Sequence, residues 1–210
     1  MSYIGKSESE IIEGCKKEDR EAQNALYRLF YGKMNAASYR YTGSYDDSKD
    51  IVHDTFIHVF KKINSFNGNG SIEGWIRRIV VNRTVDFMTK KNKRHVKVSE
   101  EENTILKNKH DYNEYKNDLS NQDAVESIYT AGLTKEEIKS AIDLLKEEYK
   151  VVFNLNVVDG FSHKNISEVL TISEELSRIR LKRARVALQS ILIGMAEKKK
   201  KQNLTNYPNE

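Results

Sequence analysis

The sequence predicts an all-α protein: two small helical domains joined by a flexible polar linker, the C-terminal one containing a helix-turn-helix. Three observations predict it. Ten glycines and one proline in 210 residues are too few turn formers for a many-stranded architecture. Apolar residues recur at helical spacing over residues 8–94 and again over residues 133–195. Between these stretches, VSEEENTILKNKHDYNEYKNDLSNQDAVESIYTAG is rich in Asn and Asp and poor in core formers, the composition of a linker. The expected division is a first domain over 1–97, a linker over 98–132, a second domain over 133–196 and a disordered basic tail over 197–210.

Charged residues make up 31% and hydrophobic residues 38%, which suits small helical domains with much exposed surface. The formal net charge of +4 is weak as a sum, so the placement of charge matters more. Cys15 is the lone cysteine, which excludes an internal disulfide and suits a reducing compartment. No apolar run approaches the roughly 20 residues of a membrane span, and MSYIGKSESEIIEGCKK has no signal-peptide core. The expectation is a cytoplasmic protein without direct membrane insertion.

The elements follow in order. Ser9 can cap a short helix carrying Ile11, Ile12 and Cys15. Asp19 can cap a longer helix with Ala22, Ala25, Leu26, Leu29, Phe30 and Met34 at helical spacing, and Tyr27, Tyr31, Tyr39 and Tyr41 add bulk to it. The helix expected over residues 46–63 starts with Asp46 and Asp47, where the macrodipole favours acids. Ile51, Val52, Thr55, Phe56, Val59, Phe60 and Ile63 form its apolar stripe, wider than docking on one neighbour requires. Asp50 and Asp54 form an acidic edge, readable as a solvated face or a protein-docking surface. His53 and His58 are five positions apart, whereas metal pairs on a helix sit about three or four apart; no metal site and no cofactor are expected.

The loop SFNGNGS places two glycines and two asparagines where a tight path is needed. It lacks the Lys-Ser/Thr step of a phosphate-cradling loop. Ser71 caps the next helix, which runs to about Arg94 with Glu73 in its first turn. Ile72, Trp75, Ile76, Ile79, Val80 and Phe87 point one way, with Trp75 read as core rather than as a base-stacking platform. Arg78, Asn82, Val85 and Thr89 form another stripe. Arg and Asn are readers of base edges, and Lys90, Lys91, Lys93 and Arg94 suit phosphates.

In the second half, Thr134 caps a helix with Ile138, Ala141, Ile142 and Leu145. A helix over about 147–158 carries Tyr149, Val152, Phe153 and Val157. Ser162 caps a third with Ile166, Val169 and Leu170, and after the turn Thr171-Ile172, Ser173 caps a fourth that runs to about Met195. Two helices joined by so short a turn, the second rich in Arg, form a helix-turn-helix pattern. Leu181, Ala184, Leu188 and Leu192 mark the inner face of that last helix. Arg178, Arg180, Lys182, Arg183 and Arg185 cover the rest with no acid between Glu175 and Glu197, which favours DNA over simple solvation.

DIVHDTFIHVFKKINSFNGNGSIEGWIRRIVVNRTVDFM resembles the second conserved region of bacterial sigma factors, especially the extracytoplasmic-function group of the sigma-70 family. LKEEYKVVFNLNVVDGFSHKNISEVLTISEELSRIRLKRARVAL resembles the fourth conserved region of the same group. The resemblance implies a sigma factor that binds RNA polymerase core, recognises −35 and −10 promoter elements and promotes melting. By the same resemblance Asp50, His53, Asp54 and Phe56 meet the polymerase. Ser65, Phe66, Asn67, Gly68 and Asn69 capture a flipped −10 base, with Arg78, Asn82, Lys90, Lys91 and Arg94 along the −10 strand. Arg178, Ile179, Arg180, Lys182 and Arg183 fall on −35 contacts. An anti-sigma factor is a further implied partner.

Three departures from the family pattern stand out: His53 replaces Gln, Lys146 replaces Pro, and SEELSRIRL replaces a Gly-Thr-Val step with a small residue before the second Arg. Ser177 falls inward and Ile179 outward, where Ile179 can meet a thymine methyl; the alternative is a rotated or shifted helix. No Ser/His/Asp, Cys/His or paired-carboxylate arrangement suggests catalysis. Two rival readings remain: a helix-turn-helix regulator that acts without polymerase, and an all-helical adaptor that binds only proteins. The first leaves residues 50–94 without a role.

Overall fold

The computed structural model describes residues 5–91, 102, 126 and 128–205. It is helical throughout, with no strand among the described residues, and it divides into two units, Met1–Lys93 and Arg94–Glu210.

The first unit contains α1 (Glu8–Lys16), α2 (Arg20–Thr42), α3 (Tyr45–Lys62), a 3-10 turn (Ile63–Ser65) and α4 (Ile72–Lys91). Its helix starts are set by side chains that satisfy backbone N–H groups the helix itself leaves unpaired. Asp19 accepts from the N–H groups of Glu21 and Ala22, as the sequence predicts. At α1 the cap is Ser7 rather than Ser9, because Glu10 three residues on completes a capping box with Ser7. Ser44 starts α3, with Asp46 and Asp47 in the first turn, and Ser71 accepts from the Gly74 N–H to start α4.

These helices bury Leu26 and Met34 of α2, Val52 and Phe56 of α3 and Ile76 and Val80 of α4 in one core. Trp75 packs at its edge against Phe66, ring centres 5.7 Å apart, so the core reading of Trp75 holds. Leu29, in the expected apolar set, is exposed, and Val85, placed on the outward stripe, is buried.

The second unit contains α5 (Lys135–Asp143), α6 (Glu147–Phe153) continuing as a π-helical turn (Asn154–Val158), α7 (His163–Leu170) and α8 (Glu174–Thr205). Thr134 and Glu137 form a capping box, Ser162 caps α7 and Ser173 caps α8. Thr171, in the left-handed region at φ 55°, ends α7 and turns the chain into α8. Ala141, Tyr149, Val152, Leu155, Ile166, Leu170, Leu176 and Ala184 are buried here. Ile138 and Val157, expected inside, are exposed: the wider π turn rotates Val157 off the face that carries Val152 and Leu155. The tail expected to be disordered from 197 is instead helical to Thr205, with Ala196 buried and Lys199 bonded to the Gly132 carbonyl and to Glu137.

Leu26→Ala removes a fully buried side chain from the first core and is expected to cost about 2–5 kcal/mol, against about 1 kcal/mol for Asp19→Ala at the α2 cap. Denaturant titration of both variants checks the ranking.

Candidate polymerase and nucleic-acid interfaces

α3 buries one side and shows the other. Asp50, His53 and Asp54 are exposed, and they share a face with Asp46 and with Ile57, whose exposure is 48%. Phe56, expected among the contacts, is 1% exposed and lies beneath this face, its ring 4.9 Å from Tyr27 and 5.9 Å from Phe60. Phe56 therefore braces the surface instead of forming it. Ile57 was missed because it lies outside the buried stripe; an apolar residue off that stripe was the available signal. The Tyr27 ring also meets His53 edge-on at 6.3 Å.

The loop after α3 exposes Ser65, Asn67 and Asn69, with Gly68 and Gly70 at φ 81° and 88°, where a side chain would be strained. Asn67 accepts from the Asn69 N–H, which tightens the loop. Phe66 is buried against Trp75 and anchors the loop rather than reaching out of it.

On α4, Arg78 and Lys90 are exposed and Asn82 is half-buried. The side-chain oxygens of Asn82 and Thr89, on one side of the helix, are buried without a hydrogen-bond partner among the described residues. A buried acceptor left unpaired is costly, so both suit a bound donor. Lys91 bonds Asp47 at 2.7 Å, joining the end of α4 to the start of α3. That contact leads the causes that hold the Asp47 carboxyl below its ordinary range. Arg94, and Lys93 beside it, lie outside the described residues.

A cleft of about 320 Å³ between α3 and α4 is lined by Ile51, Asp54, Arg83, Asp86, Phe87 and Lys90. It brings Asp54, expected to meet polymerase, and Lys90, expected to meet DNA, to one depression with acids and bases facing across it.

α8 departs most from expectation. Ser177 is buried, as predicted, and its hydroxyl lies 2.9 Å from His163 Nδ1 at the start of α7. Ile179, expected outward, is 5% exposed. Arg180, expected on DNA, is 0% exposed and makes a bidentate pair with Glu102, Nε to Oε1 at 2.9 Å and Nη2 to Oε2 at 3.1 Å. The reason is spacing: Leu176, Arg180 and Ala184 succeed one another at intervals of four on the buried face. Arg183 is half-buried and donates to the Tyr149 hydroxyl at 2.9 Å.

The outward cations are Arg178, Lys182 and Arg185, one turn apart, with Lys182 partly covered. Arg178 bonds Glu174 across one turn, an acid N-terminal to the acid-free interval. Arg185 belongs with this stripe by spacing, although the resemblance did not single it out.

Two compact helical units define a bipartite nucleic-acid-binding protein, one with an acidic exposed face beside a glycine loop and the other a helix-turn-helix with a basic outer stripe. Comparison with known proteins agrees. Residues 26–94 match the family model "Sigma-70 region 2", and residues 135–188 match "Sigma-70, region 4". A sigma-E factor of Haemophilus influenzae, described as an ECF RNA polymerase sigma factor, is 24% identical over 180 residues, covering 86% of this chain and 92% of the relative. The ECF RNA polymerase sigma factor SigW of Bacillus subtilis is 28% identical over 185 residues, covering 86% and 94%. Among solved structures, the sigma factor RpoE in complex with the anti-sigma factor NepR from Bartonella quintana aligns with a TM-score of 0.46 at 18% identity, covering 80% of this chain and 95% of that one.

The chain belongs to the sigma-70 family and is an RNA polymerase sigma factor of the extracytoplasmic-function type. The alternative, a regulator acting without polymerase, is not favoured. No helix among the described residues is long and apolar enough to cross a membrane.

Burial is the first cause that lowers His163, with Arg178 next; Glu174 opposes and Arg185 adds. The folded chain thus holds this ring neutral to lower pH than the unfolded chain does. Its contribution to stability is complete above the unfolded value of about 6.5 and is lost as pH falls through the depressed folded value. His58 shifts in the same direction, led by burial. His163→Gln is therefore expected to flatten part of the fall in denaturation midpoint between about pH 7.5 and 5; an unchanged slope would show that His163 does not contribute.

Proposed function

We propose that the exposed face of α3, formed by Asp50, His53, Asp54 and Ile57, docks on the core polymerase. The observation that carries this is the setting of Ile57: an exposed apolar side chain ringed by charge, on a helix already buried on its opposite side. Interfaces favour such an apolar centre with a charged rim. Phe56 supports the face from below.

In this reading the loop Ser65–Ser71 holds an unstacked −10 base through Ser65, Asn67, Asn69 and the open backbone at Gly68. The helix after it contributes Arg78, Asn82 and Lys90, and the two unpaired buried oxygens of Asn82 and Thr89 await donors there. Lys91 and Arg94 add positive charge beside the strand. Unstacking costs a few kcal/mol per base, which specific capture must offset. Arg178, Lys182 and Arg185 lie against the −35 duplex, with Arg183 at their edge. Ile179 and Arg180 are withdrawn from that contact set because they are buried.

The function is binding and strand opening without bond chemistry, in the cytoplasm. The relative that aligns in complex with an anti-sigma factor suggests the same kind of partner here.

Pull-down with core polymerase tests the docking face. Asp54→Lys and Ile57→Asp are expected to weaken core binding about tenfold or more, on the order of 1.4 kcal/mol or above, with the thermal transition unchanged. Wild-type binding by both variants would sink the assignment. On the DNA side, Asn82→Ala is expected to cost ~1–3 kcal/mol on a −10 single strand. Lys182→Ala should lower the salt slope on a −35 duplex by about one.

A further inference from the structure

Ser177 is fully buried on α8, and its hydroxyl lies 2.9 Å from Nδ1 of His163. His163 is the first residue of α7 and is half-buried, between exposed Ser162 and exposed Lys164. Ser177 is the ring's one hydrogen-bond partner among the described residues. Nδ1 is therefore engaged, and Nε2, on the other edge of the ring, is left for a partner outside the chain. The bond to Ser177 survives a change of charge on the ring. Ser177 donates to a bare Nδ1, or accepts from Nδ1–H while its own proton turns to the Ser173 carbonyl one turn back.

The charges that act on this ring come from α8. Burial is the first cause that disfavours a proton on it; Arg178 follows, Glu174 opposes and Arg185 adds. Glu174 is itself bonded to Arg178 at 3.0 Å. The π turn packed against α7 carries no charge, and Asp159 at its end is not among the groups that move the ring. Lys164 adds a cation beside it on α7. Without DNA, the ring stands in a basic cluster with one opposing acid, a setting that resists a further positive charge.

We propose that His163 is a phosphate contact on the −35 duplex, and that binding the duplex places a proton on its ring. The inference rests on the reading that Arg178 and Arg185 lie against that duplex. Phosphates held there cancel the repulsion that the two guanidinium groups exert on an imidazolium. Nε2–H then donates a charge-assisted hydrogen bond to a phosphate oxygen, while Nδ1–H donates to Ser177. One proton is taken from solvent, onto whichever ring nitrogen was bare, and it returns to solvent on release.

One group thus acts with two signs. Acid weakens the folded chain through His163, because the folded pKa is depressed. Acid strengthens the duplex complex through the same ring, because the complex holds one more proton than the free chain. A ring that only tied α7 to α8 would give the first effect without the second.

The test uses holoenzyme reconstituted from core polymerase and the full chain, with a promoter selected from a randomised library. Binding to the upstream duplex, cut short of the −10 element, is measured at about pH 6 and pH 8 over a range of salt. Wild type is expected to bind about threefold or more tighter at the lower pH, with the salt slope steeper by about 0.9. His163→Gln, neutral at every pH, is expected to lose both changes. The same tightening and the same slope change in His163→Gln would overturn the contact. If His163→Gln does not fold, proton exchange by the wild-type holoenzyme decides, from calorimetry in buffers of different ionisation enthalpy. Net uptake on binding the duplex upholds the contact, and no uptake overturns it. Failure of Arg178→Ala and Arg185→Ala to weaken upstream binding at either pH would instead overturn the −35 reading on which His163 depends.

Discussion

The structure depends on a constraint that falls on every helix: one face must be buried against its neighbours, and only what remains can meet a partner. In the first unit Leu26, Met34, Val52, Phe56, Ile76 and Val80 meet in one core. Their burial fixes the rotation of α3 and α4, so it also fixes which side chains point outward. Asp50, His53, Asp54 and Ile57 are together because Val52, Phe56 and Val59 are buried behind them. With no disulfide available to share the load, this apolar seam does most to hold that exposed face in place.

Buried polar groups then refine what apolar burial leaves loose. Hydrophobic packing is tolerant of small rotations, whereas a buried hydrogen bond is not. The Thr84 and Ser38 hydroxyls, 3.0 Å apart, fix α4 against α2. The Ser177 hydroxyl against His163 ties α8 to the helix before it, and Arg183 against Tyr149 ties it to α6, both bonds partly buried. These bonds fit the rotation of α8 that burial of Leu176 and Ala184 sets, in which Arg178, Lys182 and Arg185 emerge on one side while Arg180, equally basic, does not.

Much of this was legible in the sequence where local chemistry decides the outcome. The caps at Asp19, Ser71, Thr134, Ser162 and Ser173 and the linking turn at Thr171 depend on residues within a few positions of one another. The helix-turn-helix was readable for the same reason. What was not legible depends on distant partners. Phe56, which the periodicity put in the apolar stripe, and Phe66 were assigned contacts through the resemblance, which does not say that Tyr27 and Trp75 pack against them. Arg180 was assigned to DNA by its charge, although its spacing from Leu176 and Ala184 already placed it inside. The spacing argument lacked only a counter-ion, and that counter-ion comes from a stretch too polar to be read as part of any core. Ile57 failed in the opposite direction: an apolar residue outside the stripe was passed over, though its exposure sets this face apart from a purely charged one.

The charge distribution shows why a whole-chain sum says little about partners. A net charge of +4 hides an acidic face on α3 and a basic stripe on α8, carried by different units. Charges of opposite sign on one small surface would screen each other within a Debye length of about 8 Å, and neither would act far into solution. A basic stripe attracts duplex phosphates, and an acidic face repels them. The cleft between α3 and α4 is the exception, where Asp54 and Asp86 stand with Arg83 and Lys90. There the local field is balanced, so shape and the apolar floor of Ile51 and Phe87 must decide what binds. If α3 meets polymerase and α4 meets the −10 strand as proposed, Asp54 and Lys90 bring both contacts to this cleft, and a substitution there is felt by both.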